Sequence, residues 1–140
     1  MKLDCLYGVW RKHLSKLVIQ TPDAPKIIGT YSQGIRSKNL VFTSGQIPIN
    51  PKTGELIIGD FKAEVYQVLT NLDAVFKGGG SSLQSAVKLT VFLTDLSYFA
   101  QVNEVFSSFF PKDPPARSAV QVSALPMKAR IEIEAIGYVE

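Results

Sequence analysis

Few residue types in this 140-residue chain can do chemistry. It has one histidine, His13, and one cysteine, Cys5. Together they cannot supply the ligands of a zinc site. A lone cysteine also rules out an intrachain disulfide, which fits a reducing compartment such as the cytoplasm. Carboxylates, arginine, hydroxyls and backbone groups remain. Three charged residues near the C-terminus stand out: Arg117, Glu132 and Glu134. The planar guanidinium of Arg117 matches a carboxylate in a two-pronged geometry that lysine does not reproduce. Its competing use is a salt bridge to Glu132 or Glu134. Those two glutamates are two residues apart and so share one face of a strand, and spacing alone does not choose between them.

The elements that must carry these residues follow from periodicity. Tyr31–Ile35 and Leu40–Ile49 are rich in β-branched and aromatic residues and read as strands, the second ended by the turn Asn50-Pro-Lys-Thr-Gly54. Asp60 is placed to cap a helix running to Lys77, with Phe61, Val65, Val68, Leu69, Leu72, Val75 and Phe76 on one side. The glycines at 78–80 follow this helix and do not open one, so they read as a helix end and not as a phosphate cradle. Ala86–Thr94 reads as a strand with Val87, Leu89, Val91 and Leu93 inward. Asp95 caps a second helix bearing Phe99, Val102, Val105, Phe106, Phe109 and Phe110, and the prolines of 111–115 stop it. Arg117–Leu125 and Arg130–Val139 are the last strands, joined by Pro126–Ala129. The order ββ(β)αβαββ predicts an α+β domain, a six-stranded mixed sheet with two helices on one face. Residues 86–125 should form a parallel strand–helix–strand unit.

Two helices cover only one side of a sheet. Alternation puts Val120, Val122 and Ala124 toward the helices and Arg117, Ala119, Gln121 and Ser123 away from them. It likewise puts Ile131, Ile133, Ala135 and Val139 inward and Glu132, Glu134, Ile136 and Tyr138 outward. An outward face that mixes carboxylates with Ile136, Tyr138 and Phe92 predicts contact with another subunit, with polar sites at the seams.

Charge narrows the partners. Residues 1–20 carry Lys2, Arg11, Lys12 and Lys16 against Asp4, whereas positive and negative residues balance over 21–140. The neutral domain lacks the basic footprint of a nucleic-acid binder. No apolar run is long enough to span a membrane. The first twenty residues form a basic leader with Leu3, Leu6, Trp10, Leu14, Leu17 and Val18 near helical spacing. An organellar presequence, an amphipathic helix docked on the domain or a partner, and an upstream start codon all fit it. Thr21-Pro-Asp-Ala-Pro25 marks the border with a single domain over 21–140.

Several motifs are specific. Pro115-Ala-Arg-Ser-Ala-Val120, Leu125-Pro126 and Ile131-Glu-Ile-Glu-Ala-Ile136 follow Gly29-Thr-Tyr-Ser-Gln-Gly34, Thr43-Ser-Gly-Gln-Ile-Pro48 and Asp95-Leu96 with Val102-Asn103. In this order they resemble the RidA/YjgF family of reactive-imine deaminases across nearly everything beyond the leader. The resemblance implies a chorismate-mutase-like fold assembled as a homotrimer with three sites between subunits. It implies metal-free, cofactor-free hydrolysis of 2-iminobutanoate and 2-iminopropanoate to 2-oxo acids and ammonia. Pyridoxal phosphate belongs to the enzymes that release those imines. Members have also been described as endoribonucleases or translation inhibitors, and a non-catalytic module binding small carboxylates is a further alternative.

Residue by residue, the resemblance makes Arg117 the carboxylate anchor and Glu132 the group that holds and activates water. Tyr31, Ser44, Gly45 and Asn103 line the pocket. Ser44 can hydrogen-bond a carboxylate, Gly45 lets a backbone N–H approach closely, and Asn103 sits between Phe99 and Phe106. Ala119 departs from the pattern, since many members have cysteine there; a role through the backbone survives alanine, and thiol regulation at this position does not. If Pro126–Ala129 closes a hairpin, Leu125 faces Arg130 and Glu132 faces Ser123. Arg117 then lies roughly 20 Å from Glu132 at about 3.3 Å per residue. The two should therefore meet only across a subunit boundary.

Overall fold

A computed structural model describes residues 16–140. Eight elements follow in the order βββαβαββ: β1 (Lys16–Ile19), β2 (Gly34–Ser37), β3 (Leu40–Thr43), α1 (Phe61–Gly78), β4 (Ala86–Leu93), α2 (Phe99–Phe109), β5 (Ala116–Gln121) and β6 (Ile131–Tyr138). The strands make one six-stranded mixed sheet in the order β1-β2-β3-β6-β4-β5. Only β4 and β5 run parallel, as the expected strand–helix–strand unit requires.

The helices form where their signals lie. The Asp60 carboxylate accepts the Lys62 N–H at 3.0 Å, and α1 buries Phe61, Val65, Val68, Leu69, Leu72, Val75 and Phe76 against the sheet. The Asp95 carboxylate accepts the Ser97 N–H at 2.8 Å; one 3₁₀ turn, Leu96–Tyr98, precedes α2. Leu89, Val91 and Leu93 of β4 and Ile131, Ile133 and Ala135 of β6 complete the core. Val87 is exposed, because a register shift between Ala86 and Lys88 turns it outward.

Four of the residues assigned to the leader belong to the sheet. Lys16–Ile19 pairs antiparallel with β2, and Ile19 is its one buried residue. The glycines after α1 explain the docking. A Cβ on Gly79 would stand 2.7 Å from Ile19 Cδ1, and one on Gly78 would stand 3.0 Å from Ile19 Cγ2. The glycine run is thus a socket for an edge strand. Residues 1–15 of the leader, with the helical spacing expected there, lie outside the described residues. Among the described residues, no helix is long and apolar enough to cross a membrane.

Three sequence expectations give way near the site. The strand expected at Tyr31–Ile35 is β2 and begins at Gly34, because residues 28–33 form a loop; the strand expected at Leu40–Ile49 is β3 and ends at Thr43. The last two strands do not form a hairpin, since β4 lies between β5 and β6. That order frees Pro126–Ala129 from closing a tight turn.

The faces of β5 are also reversed from the expectation. Arg117 pairs with Leu89 and Ala119 with Val91, and strand partners in register share a face. Leu89 and Val91 are core residues, so Arg117 and Ala119 lie on the helix side. Val120 pairs with Phe92 and is 43% exposed on the open side. Apolar content misled here because the open face is itself apolar, with Phe42, Tyr138 and Val120 all exposed. Arginine suits the inner face at an edge strand: its stem and flat guanidinium cover aromatic surface while the charge stays near water.

Candidate functional site

A fault in the sheet builds the first half of the site. Beyond the Phe42–Ile136 pair, the next contact between these strands is Gln46 with Ile133. Four steps on one strand thus match three on the other, the extra residue of a bulge. The Thr43 hydroxyl accepts the Ala135 N–H at 2.9 Å, satisfying the donor that the interrupted ladder leaves over. Gln46 and Ile133 exchange backbone hydrogen bonds of 2.8 and 3.0 Å, which hold Ser44 and Gly45 beside Glu132.

The Glu132 side chain lies directly on Gly45. A Cβ at position 45 would stand 1.9 Å from Glu132 Oε1. Glycine is therefore required here for space; a positive φ is not the reason. Ser44 is fixed by its N–H to Gln33 O at 2.9 Å and its hydroxyl to Ser32 O at 2.5 Å. Burial raises the Glu132 pKa above the ordinary glutamate value, and the nearby Glu134 charge raises it further. Glu134 is exposed and shows no such burial, so environment separates two carboxylates that spacing could not.

Tyr31, Ser44, Gly45 and Glu132 line one cavity of about 360 Å³, together with Ile28, Ile47, Ile49, Pro126 and Met127. Its walls are tied down by buried amides. Gln33, which also lines it, donates to Thr21 O and Pro25 O at 3.0 and 2.9 Å. Asn71 of α1 donates to Ile47 O and Ile49 O at 3.3 and 2.9 Å. Sequence reasoning missed both; a polar residue inside the apolar stripe of α1 was the available signal for Asn71.

The second half of the site sits at the other end of the sheet. Arg117 Nη2 donates to Asn103 Oδ1 at 2.8 Å. Its guanidinium lies 5.1 Å from the Phe99 ring centre and 5.0 Å from that of Phe106. These contacts explain why Asn103 stands between two phenylalanines on α2. Burial lowers the Arg117 pKa, yet a guanidinium remains charged at neutral pH. Among the described residues no carboxylate lies within ion-pair distance of it. The other interior arginine, Arg130, differs. It pairs with buried Glu64, donates to Tyr98 Oη at 3.0 Å, and clamps α1 to the start of β6. Ala119 packs partly buried against the core two residues from Arg117.

One chain does not bring the two halves together. Arg117 borders a shallow groove with Asn103, Phe106, Phe110 and Pro115 that shares no residue with the Glu132 cavity. Glu132 pairs with Phe92, whereas Arg117 pairs with Leu89, three positions along and on the opposite face. The expected separation within one chain thus has a different cause: opposite faces of the sheet, with no hairpin involved.

A six-stranded mixed sheet with two helices on one face, a glutamate cavity on one side and an arginine held by aromatic rings on the other, defines a YjgF-like α+β domain. The chain belongs to that family: the family described as Endoribonuclease L-PSP matches residues 21–139. It is 51% identical over 125 residues to a RutC family protein of Pyrococcus horikoshii, spanning 89% of this chain and 99% of that one. It is 44% identical to the 2-iminobutanoate/2-iminopropanoate deaminase of Rattus norvegicus, spanning 86% and 88% of the two chains. It also superposes on the crystal structure of E. coli TdcF with bound serine at a TM-score of 0.84 and 42% identity, covering 89% of this chain and 99% of that one.

Proposed function

We propose that this protein hydrolyses reactive 2-imino acids, among them 2-iminobutanoate and 2-iminopropanoate, to 2-oxo acids and ammonia. Its sites would lie at the seams of a homotrimer in a reducing compartment, the cytoplasm. The observation that carries this reading is the Arg117 guanidinium, without a carboxylate partner among the described residues and held by Asn103, Phe99 and Phe106. A cation so placed has two or more donors free for a carboxylate. The named activity of the Rattus norvegicus relative and the amino acid bound to TdcF support the substrate class.

In this reading Arg117 of one subunit fixes the substrate carboxylate beside Glu132 of the next. Glu132 orients a water whose oxygen adds to C2 of the imine and takes one proton from it. It returns that proton to nitrogen; the carbinolamine hydroxyl then passes its own proton, through the same carboxylate, to the amino group, which departs as ammonia and leaves the 2-oxo acid. A carboxylate with a raised pKa suits the first step, since it is a stronger base toward water than an ordinary glutamate. The chemistry is modest, because such imines hydrolyse in water and need mainly orientation and an activated water.

The test is imine decay in a coupled assay with threonine dehydratase as the source. The wild type is expected to exceed the spontaneous rate and Arg117→Ala to return to it. A wild-type rate equal to the spontaneous one removes the enzyme reading. Full activity in Arg117→Ala removes the anchor role.

A further inference from the structure

Two walls of the Glu132 cavity meet at one residue, Gln33. It stands just before β2, opposite Ser44, which stands just after β3. The Ser44 N–H bond to Gln33 O, 2.9 Å, carries the β2–β3 ladder one step past the Gly34–Thr43 pair. The Gln33 side chain, buried at 3% exposure, reaches residues 21–25. Its Oε1 accepts the Thr21 N–H at 2.7 Å. Its Nε2 donates to Thr21 O, Pro25 O and Ala24 O at 3.0, 2.9 and 3.4 Å.

The sequence of that segment calls for a carboxamide. Pro22 and Pro25 have no N–H, so residues 21–25 cannot extend the ladder of β1. Their carbonyls turn inward and need donors. A carboxamide offers one acceptor and two N–H donors on a single planar group, and no other neutral side chain does. Beyond the segment the chain forms a wall of the cavity, where Pro25, Lys26, Ile28 and Tyr31 line it. This wall is closed on itself by the Ile28 N–H, which donates to Tyr31 Oη at 3.2 Å. Ser44 lines the cavity from the other side of Gln33. One residue thus joins both walls, the first through its side chain and the second through its carbonyl.

We propose that Gln33 is a positioning residue for imine hydrolysis, acting through Tyr31 and Ser44, whose spacing over the cavity it sets. The fold has other anchors in the same place. Ala24 is buried in the core, Ile19 fills the glycine socket, and a Cβ on Gly78 would stand 3.4 Å from Thr21 Cβ. Loss of the carboxamide therefore frees residues 25–31 without undoing the sheet. The proposal rests on the deaminase reading for its kinetic test only. A purely structural role would make activity fall in step with stability.

The experiment uses three variants of the full chain. Gln33→Met keeps the length and loses the amide; Gln33→Glu keeps an acceptor and loses both donors when ionised. Leu83→Ala removes buried apolar contacts outside the cavity. Gln33→Met should lower kcat for 2-iminobutanoate about 10-fold or more, since small misplacements of positioning groups are costly in rate. Leu83→Ala should keep the wild-type kcat at an equal or greater loss of unfolding midpoint. Gln33→Glu should match Gln33→Met in mild alkali and recover relative to the wild type as pH falls, because its protonated carboxyl donates again. A Gln33→Met kcat within about twofold of wild type overturns the proposal. So does an equal loss in Leu83→Ala, or a Gln33→Glu ratio that stays flat with pH. If Gln33→Met does not fold, Gln33→Glu decides alone. If the wild type turns over no imine, the deaminase reading fails, and the placement of the wall is judged by trypsin cleavage after the exposed Lys26. Cleavage about tenfold faster in Gln33→Met than in Leu83→Ala upholds it as local opening; equal rates end it.

Discussion

The two halves of the site are built on opposite physical plans. Glu132 is positioned by backbone irregularity: a bulge, a hydroxyl that satisfies Ala135, and a glycine that yields space for the carboxylate. Arg117 stands on regular β5 and is held by side chains alone, two aromatic rings and one amide. On the proposed reading, the difference follows from what each would do. A carboxylate that exchanges protons needs partial burial to raise its pKa, and a fault in a sheet makes such a recess. An arginine that binds an anion needs orientation with its donors exposed, and the edge of a sheet under a helix supplies that.

The largest effect should come from separating the halves genetically. Arg117→Ala and Glu132→Gln should each lower imine hydrolysis at least about 100-fold. Mixing the two proteins through unfolding and refolding should restore part of the activity, because some seams then pair two intact halves. No recovery in assemblies shown to be mixed would refute a site shared between subunits. A subtler change to the arginine half is Arg117→Lys, which keeps the charge and loses the fork. KM should rise about 10-fold or more with kcat less affected, as a charged hydrogen bond is worth about 1.5–3 kcal/mol. An unchanged KM would argue that only charge matters there.

The carboxylate half should break through its backbone. Thr43→Val leaves the buried Ala135 N–H without its acceptor and should cost about 1–3 kcal/mol in denaturant unfolding. It should also lower kcat more than it raises KM, since Ser44 and Gly45 lose their register. Stability equal to wild type would show that the hydroxyl does not hold the bulge. The smallest effect concerns pH. If Glu132 must be ionised to accept a proton, the rate falls on the acid side through its raised pKa. Glu134→Gln removes the neighbouring charge, lowers that pKa and moves the acid limb to lower pH. Burial, the larger cause, remains, so the move is partial. A shift to higher pH would contradict this account of Glu132.

Much of the fold was readable because its signals are local. Asp60 caps α1 as expected, Asp95 caps the 3₁₀ turn that leads into α2 and not α2 itself, and the apolar positions of α1 are the buried ones. The faces of β5 were not readable. Val120 looked like a core residue, but its partner is Phe92 on the open face, and that pairing is set by a neighbouring strand. β1 was hidden for a similar reason: its four residues show a strand only when β2 and the glycine socket are present.

For the site, sequence supplied the residue types and the tertiary structure their company. Motif resemblance singled out Tyr31, Ser44, Gly45, Asn103, Arg117, Ala119 and Glu132. Only the folded chain puts Tyr31, Ser44, Gly45 and Glu132 in a cavity, Asn103 and Arg117 on a separate groove, and Ala119 against the core. It also adds Gln33, Thr43 and Asn71, whose hydrogen-bond partners lie far along the chain. By itself the sequence determined both helices and the existence of five of the strands, because helix caps, apolar periodicity and glycine act within a few residues. Which strands become neighbours, and hence which way Arg117 faces, was decided only by tertiary structure, because register depends on the packing of residues far apart in the chain.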